Sequence, residues 1–470
     1  MLLQDITRPL VAIALCLTVA SCSDSQVLVA GSGLTVLKGA TLIDGTGAPP
    51  VQNAVVVLDG NNILRVGRVG DYRYEEDVSV VNLSGRYIVP GFIDVHVHPK
   101  PGAEDDMARM LLAFGITTIR IPGAESDGLG LDLRERIDQG EIAGPRIFAG
   151  ARTIEGPRAT FPGTVEVHSE AEMRAEVRRQ AALGVDLVKL YWNTPIEFIQ
   201  AAVDEAHSLD LQVVGHLRQA SWTAAAQAGI DGLLHSAADG PTWELVPVEE
   251  RKQLRSLPYR QYYERFEELV DLDAPQFGLL VAALVENGVT VDPTLVVMQS
   301  LYFGDDLSIL DRLEPSVAPP SILDSWGDRW ETGNPHVLNN VEEQDLTYGK
   351  GMFPIALEMV RRFFDGGVHL AVGTDVGMPW ITPGVSFHRE LELFAEAGIP
   401  ALDVLSLATM NGAETVRAEE MLGTIEPGKL ADLIVLCDSP LEAIGNTRSI
   451  EAVYKGGQRF EPQALLSSVP

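Results

Sequence analysis

At 470 residues and 46% apolar side chains, the chain is long enough for a large core and more than one domain, and too apolar to stay disordered. Its 66 acidic against 35 basic residues leave a net charge of −31. A surface that acidic repels nucleic acid and anionic lipid, so neither is expected as the main partner.

The first segment reads as a targeting signal. MLLQDITRP precedes LVAIALCLTVASC, an apolar run of signal-peptide length and too short for a comfortable membrane span. Its end, Val19-Ala20-Ser21-Cys22, resembles a bacterial lipobox, which implies cleavage after residue 21 and a lipid on Cys22. Residues 1–22 are therefore expected to be a lipoprotein signal and 23–33 a polar tether, with the protein exported and either periplasmic or anchored to the outer membrane. Membrane contact would pass only through Cys22. Of the three cysteines, Cys16, Cys22 and Cys437, that leaves only Cys437, so neither a disulfide framework nor a thiolate metal site is expected.

From 34 to 90 the text is short β-branched runs punctuated by Gly, Asn and Asp, as in LTVLKGATLIDG and NAVVVLDGNNILRVG. The stretch 420–465 has the same style. The two ends are expected to form one small composite β-sandwich domain. Between them, over 91–419, strand-like and helix-like segments alternate. The apolar runs lie at 88–98, 115–123, 145–151, 184–192, 211–217, 229–237, 288–295 and 368–377. Helical patterns such as SEAEMRAEVRRQAALG fall between most of them, several closing on Gly. Eight β-then-α units point to a (β/α)8 TIM-type barrel, so the fold class is α/β. Two inserts, 238–275 and 296–350, break the rhythm after strands six and seven and carry Trp243, Tyr259, Tyr262, Tyr263, Trp326, Trp330 and Tyr348. They read either as a lid over the mouth or as aromatic packing against the barrel.

The strand ends hold the chemistry. In GFIDVHVHP, residues 91–99, alternation puts Asp94, His96 and His98 on one face of a buried strand, a costly arrangement unless a metal uses the imidazoles or they are hydrogen-bonded core histidines. Lys189 ends strand four, His216 strand five, His235 strand six and Asp375 strand eight, and in a (β/α)8 barrel all these ends converge on one cavity. Four of the nine histidines sit at strand ends; His168, His207, His336, His369 and His388 do not. Imidazole and carboxylate without thiolate suit zinc, manganese, iron or nickel.

These motifs resemble the amidohydrolase superfamily of metal-dependent hydrolases. PGFIDVHVHP resembles its strand-one HxH, GVDLVKLY its bridging-lysine strand, GHLRQA and GLLHSA its next two histidines, and VGTDVG its strand-eight aspartate. The flanks ATLIDGTG, LATMNGAE and LGTIEPGKLADLIVL are similar to members with a split β domain. The resemblance implies two divalent ions, most simply zinc, held by His96, His98, Lys189, His216, His235 and Asp375, with Lys189 carboxylated as the bridging ligand. It implies Asp375 as the catalytic proton shuttle. Asp94 is expected to support the histidines without ligating. Many peptide-cleaving members carry Tyr two residues after the strand-five His; here Arg218 stands there, to bind a substrate carboxylate or to pair with the acidic insert. Tyr191 is a second candidate for substrate contact.

The implied reaction is hydrolysis of a small-molecule amide, a dipeptide or N-acyl amino acid. A cyclic-amide or lactone hydrolase or a deaminase on the same fold is the alternative, and a metal-free surface-binding lipoprotein a third, disfavoured because all six ligand positions are filled. Mononuclear deaminases need no strand-four lysine, so Lys189 speaks for two ions. The oligomeric state is left open, a homo-oligomer included.

Overall fold

A computed structural model describes residues 26–27, 33–75, 78–160, 163–236, 242–254, 257, 265–328, 330–335 and 343–469. The signal segment and nearly all of the tether lie outside these residues, as do Tyr259, Tyr262, Tyr263 and the side chains of Trp243 and Tyr348.

Both chain ends enter one eight-stranded sheet. Leu34–Leu42 pairs antiparallel with Val51–Asp59, which pairs with Asn62–Arg68; on the other side Leu34–Leu42 runs parallel to Tyr87–Pro90, which pairs with Leu433–Leu436, Ile450–Lys455 and Gln458–Phe460 in turn. The remaining strand, Ser79–Asn82, pairs with the first part of Leu34–Leu42. The alternation of LTVLKGATL is interrupted at Gly39 (φ +93°), where the register with the neighbouring strand slips between Lys38 and Ala40. A bulge that needs positive φ is a natural place for glycine. Inside lies an apolar cluster that includes Leu37, Leu42, Val56, Leu58, Ile88, Leu433 and Val435. Among the described residues the hydrogen bonding joins these strands in a single sheet.

The middle of the chain alternates strands and helices. Strand one (Phe92–Asp94), strand two (Ile116–Ile121) and strand three (Arg146–Ala149) are parallel neighbours. Strand four (Leu187–Leu190), five (Gln212–Gly215), six (Gly232–Leu234), seven (Thr290–Asp292) and eight (His369–Leu370) form a second parallel run in chain order. A bridge joins Gly150 to Leu187 between strands three and four, and another joins Val97 to Val376, beyond the ends of strands one and eight. Helices Glu104–Ala113, Glu170–Ala181, Ile196–Ser208, Trp222–Gln227 and Pro275–Glu286 fall where their patterns placed them. Ser169 and Ser221 cap two of them by accepting from backbone N–H groups.

Two helices differ from the sequence expectation. Leu129–Asp138 carries a thin apolar stripe, with only Gly130, Leu133 and Ile137 buried, which is why its period is weak. The helical pattern of FPIALEMVRRFFDGG, from Phe353, belongs to a longer helix, Glu343–Asp365, which runs through Pro354. Proline costs a helix one hydrogen bond, and a helix this long keeps its packing on both sides of the gap. The second insert also contains most of the helix Leu295–Tyr302 and short turns, and its Trp326 and Trp330 pack with Trp380 at centroid distances of 5.9 and 5.8 Å. The Trp380 indole N–H donates to the Trp330 carbonyl at 3.0 Å. These two insert tryptophans therefore brace the loop after strand eight. Among the described residues no helix is long and apolar enough to cross a membrane.

Candidate metal centre

The stretch just past strand one supplies His96 and His98, and their Nε2 atoms lie 3.1 Å apart. Lys189 Nζ stands 3.5 Å from each of them. Asp375 Oδ1 stands 3.5 Å from His96 Nε2 and 3.3 Å from His98 Nε2. His235 joins from strand six, its ring 4.7 Å from that of His96. One ligand atom each from His96, His235 and Asp375 falls within 4.8 Å of the others. The His216 ring lies 4.3 Å from that of His235, but its Nε2 accepts from the Trp192 indole N–H at 3.1 Å, so that nitrogen is turned to the indole.

Local backbone makes the convergence possible. His235 (φ 65°), Thr294 (φ 51°) and Asp375 (φ 60°) occupy the left-handed region just past strands six, seven and eight. Such conformations cost of order 1–3 kcal/mol each and persist where the surroundings dictate them. The glycines of VGTDVG serve close approach: a Cβ on Gly373 would come within 2.8 Å of His96 Cβ, and one on Gly377 (φ +117°) would collide with the His98 carbonyl. Asp94 is spent on the same seam. It accepts from the His96 N–H at 3.0 Å, the Thr374 N–H at 3.1 Å and the Thr374 hydroxyl at 2.6 Å, so it ties strand one to the strand-eight loop.

The ring partners orient the imidazoles. His98 Nδ1 lies 2.6 Å from the Gly123 carbonyl, which can only accept, so Nδ1 carries the proton and Nε2 keeps its lone pair. His96 Nδ1 lies 3.1 Å from Asp292 Oδ1, and Arg120 holds the other oxygen of Asp292 at 2.8 Å. Arg120 also donates to the Val95 carbonyl at 2.7 Å. Asp292 and Arg120 were invisible as site residues in the sequence, where each is one polar letter inside an apolar strand run. Their signal was that a buried strand face tolerates such groups only when paired.

Electrostatics favour neutral ligands. Burial, reinforced by the Lys189 charge, drives His96, His98 and His216 well below the usual imidazole range, and burial with its imidazole neighbours does the same to His235. Burial lowers Lys189 to about 8, against the pull of Asp375 and Asp292. It raises Asp375 to about 7, against the pull of Lys189. The imidazoles of His96, His98 and His235, a carboxylate and a readily neutral amine make a donor set that fits divalent transition ions, while His216 shares its Nε2 lone pair with the Trp192 indole.

The remaining candidates sit at the rim. Tyr191 stacks on Trp192 at 5.4 Å and meets His216 edge-on at 5.1 Å, and the Arg218 guanidinium lies 5.0 Å over the Trp192 ring. His388 is buried in the helix Val385–Glu396, bonded to Thr447 Oγ1 at 2.9 Å and the Phe114 carbonyl at 3.0 Å, well away from these contacts.

A profile of the amidohydrolase family matches residues 87–460, which is most of the chain. The chain belongs to the amidohydrolase family, and it is an enzyme acting on C–N bonds. An imidazolonepropionase from Streptomyces griseus is 23% identical over 434 residues, covering 90% of this chain and 96% of that protein. Among solved structures, a Xaa-Pro dipeptidase with methionine bound in its active site superposes with a TM-score of 0.67 at 22% identity, over 91% of this chain and 100% of that one. A bottromycin amidohydrolase gives 0.70 at 19% identity, over 92% and 90%. At these identities the two structures establish the fold, an amidohydrolase type of mixed α/β content.

Proposed function

We propose that this enzyme hydrolyses the amide bond of a dipeptide or N-acyl amino acid at two divalent ions, most simply zinc, held by His96, His98, Lys189, His216, His235 and Asp375. The observation that carries the reading is the convergence of His96, His235 and Asp375 ligand atoms within 4.8 Å, with Lys189 Nζ 3.5 Å from two imidazole nitrogens. When bound, such ions supply Lewis acidity and a water of lowered pKa. Lys189, lowered to about 8, spends part of its time as a neutral amine. Its nitrogen can then bond to the carbon of CO2 and release a proton, giving a carbamate anion whose oxygens would help hold the ions. Asp375, beside the imidazoles of His96 and His98, is placed to accept a proton from the attacking water and return it to the departing amine nitrogen. Arg218 and Tyr191, grouped on Trp192 beside His216, are the side chains proposed to meet the substrate.

The same reading takes the eight parallel strands as one (β/α)8 barrel, supported by the bridges Gly150–Leu187 and Val97–Val376 at its two seams. The likeness to a Xaa-Pro dipeptidase favours a peptide-like substrate. The imidazolonepropionase relative, matched over 96% of its length, keeps a cyclic amide as the second reading. The export signal and lipid on Cys22 rest on the lipobox-like run at 19–22. Loss of detergent-phase partitioning in Cys22→Ser would support the anchor, and unchanged partitioning would remove it.

Elemental analysis of wild type beside Lys189→Ala, with and without bicarbonate, tests the centre. Near two equivalents in wild type and a clear drop in the variant are expected. One equivalent or none in both would sink the binuclear mechanism. A panel of dipeptides, N-acyl amino acids and cyclic imides then separates the two substrate readings.

A further inference from the structure

We propose that Thr294, freed by Glu390, is a positioning residue that sets the tautomer of His235. The inference rests on the reading of His235 as a metal ligand. Thr294 is fully buried, and its Oγ1 lies 2.7 Å from His235 Nδ1. The same hydroxyl donates to the Pro293 carbonyl at 2.8 Å. A hydroxyl has one proton, and with that proton on the Pro293 carbonyl Oγ1 faces the imidazole as an acceptor. In this arrangement Nδ1 of His235 carries the ring proton, and Nε2 is left with the lone pair that a metal requires.

Thr294 is also the residue that opens the helix Leu295–Tyr302, where a threonine hydroxyl ordinarily accepts from the first helical N–H groups. It makes no such bond. Glu390 takes the role from the helix Val385–Glu396: its two carboxylate oxygens accept from Leu295 N–H at 2.8 Å and Val296 N–H at 2.5 Å. Those are two of the donors that a helix start leaves without partners. Glu390 is itself fully buried. A side chain 95 residues further along the chain thus does the capping, and the local hydroxyl is released to the histidine. The left-handed backbone of Thr294 (φ 51°) is unusual for a β-branched residue, and it aims the hydroxyl at the ring while Glu390 clamps the next two residues.

The test compares wild type, Thr294→Val, Thr294→Ser, Glu390→Gln and His235→Ala for affinity toward Zn2+ in chelator competition and for the visible spectrum of the Co2+-loaded protein. Thr294→Val keeps the shape and removes the acceptor, and it should weaken one ion by roughly 10–100-fold and alter the Co2+ bands. Thr294→Ser retains the hydroxyl and should restore both toward wild type, which a purely structural role for the methyl group would not do. Glu390→Gln keeps one accepting oxygen and should give a smaller loss in the same direction. A folded Thr294→Val with wild-type affinity and spectrum overturns the proposal. Should that variant fail to fold, unchanged affinity and spectrum in Glu390→Gln overturn it instead. If His235→Ala binds the ions as wild type does, the ligand reading itself falls and the proposal with it; if only Thr294→Val behaves as wild type, the ligand reading stands alone.

Discussion

The strand-end cluster and the sheet drawn from both chain ends are equally dry and are filled with opposite chemistry. Asp94, His96, Arg120, Lys189, His235 and Asp292 are all at least nine-tenths buried around one point. The sheet interior holds Leu37, Leu42, Val56, Leu58, Ile88, Leu433 and Val435. Burying a charge without a partner is among the largest penalties in folding, and even paired charges roughly break even. The sheet is therefore where this protein gains stability, and the cluster is where it spends some of it on reactivity. Substitutions in the two regions should separate activity from stability.

The largest effect is expected at the cluster. Asp375→Asn removes the proton acceptor while keeping the shape, and kcat should fall by about 10²–10⁴-fold with the melting temperature of the metal-free protein equal to wild type or higher. A variant retaining a tenth or more of wild-type kcat would deny Asp375 its proton-transfer role.

The mirror experiment is Leu37→Ala in the sheet. Leu37 is fully buried, and its truncation should cost about 2–5 kcal/mol in denaturant unfolding. Metal content and kcat per folded molecule should stay at wild-type values; a loss of either would show that the sheet helps shape the site.

His388 sits between the regions, linking the helix Val385–Glu396 to Phe114 and Thr447. Burial, with the Arg448 charge, lowers it to about 3. The unfolded chain then takes up this proton near the ordinary 6.5, and the folded one does not. Its contribution to stability is complete above about 6.5 and is lost as pH falls toward 3, by roughly 1.4 kcal/mol per pH unit. His388→Gln should remove that slope, so the stability gap between wild type and variant narrows between pH 7 and 5. A constant gap would mean that His388 is protonated in the fold.

The smallest effect is expected at the sheet surface. Arg86 and Glu451 pair at 2.5 Å with side chains 40% and 34% exposed. Arg86→Ala should lower the melting temperature only slightly, and less in high salt. A loss insensitive to salt would place the pair among the buried interactions of the other region.

Much of this was legible in the sequence because it is local. A strand alternates faces, so His96 and His98 had to share a side. The roles of Asp292 and Arg120 were not legible, since a single acid in GVTVDPTL and a single arginine in ITTIRIPG carry no period. Glu390 was harder still, because in VSFHRELELF it reads as the polar face of an ordinary amphipathic helix.

By itself the sequence determined which residues lie on strand faces and strand ends, since backbone geometry repeats every two or 3.6 residues whatever the context. Only the tertiary structure decided that His96 leans on Asp292 and Arg120, that Trp192 engages His216, and that Glu390 caps a helix from 95 positions away. Partners so distant along the chain are chosen by packing and by the need to satisfy every buried polar group, and neither leaves a local trace.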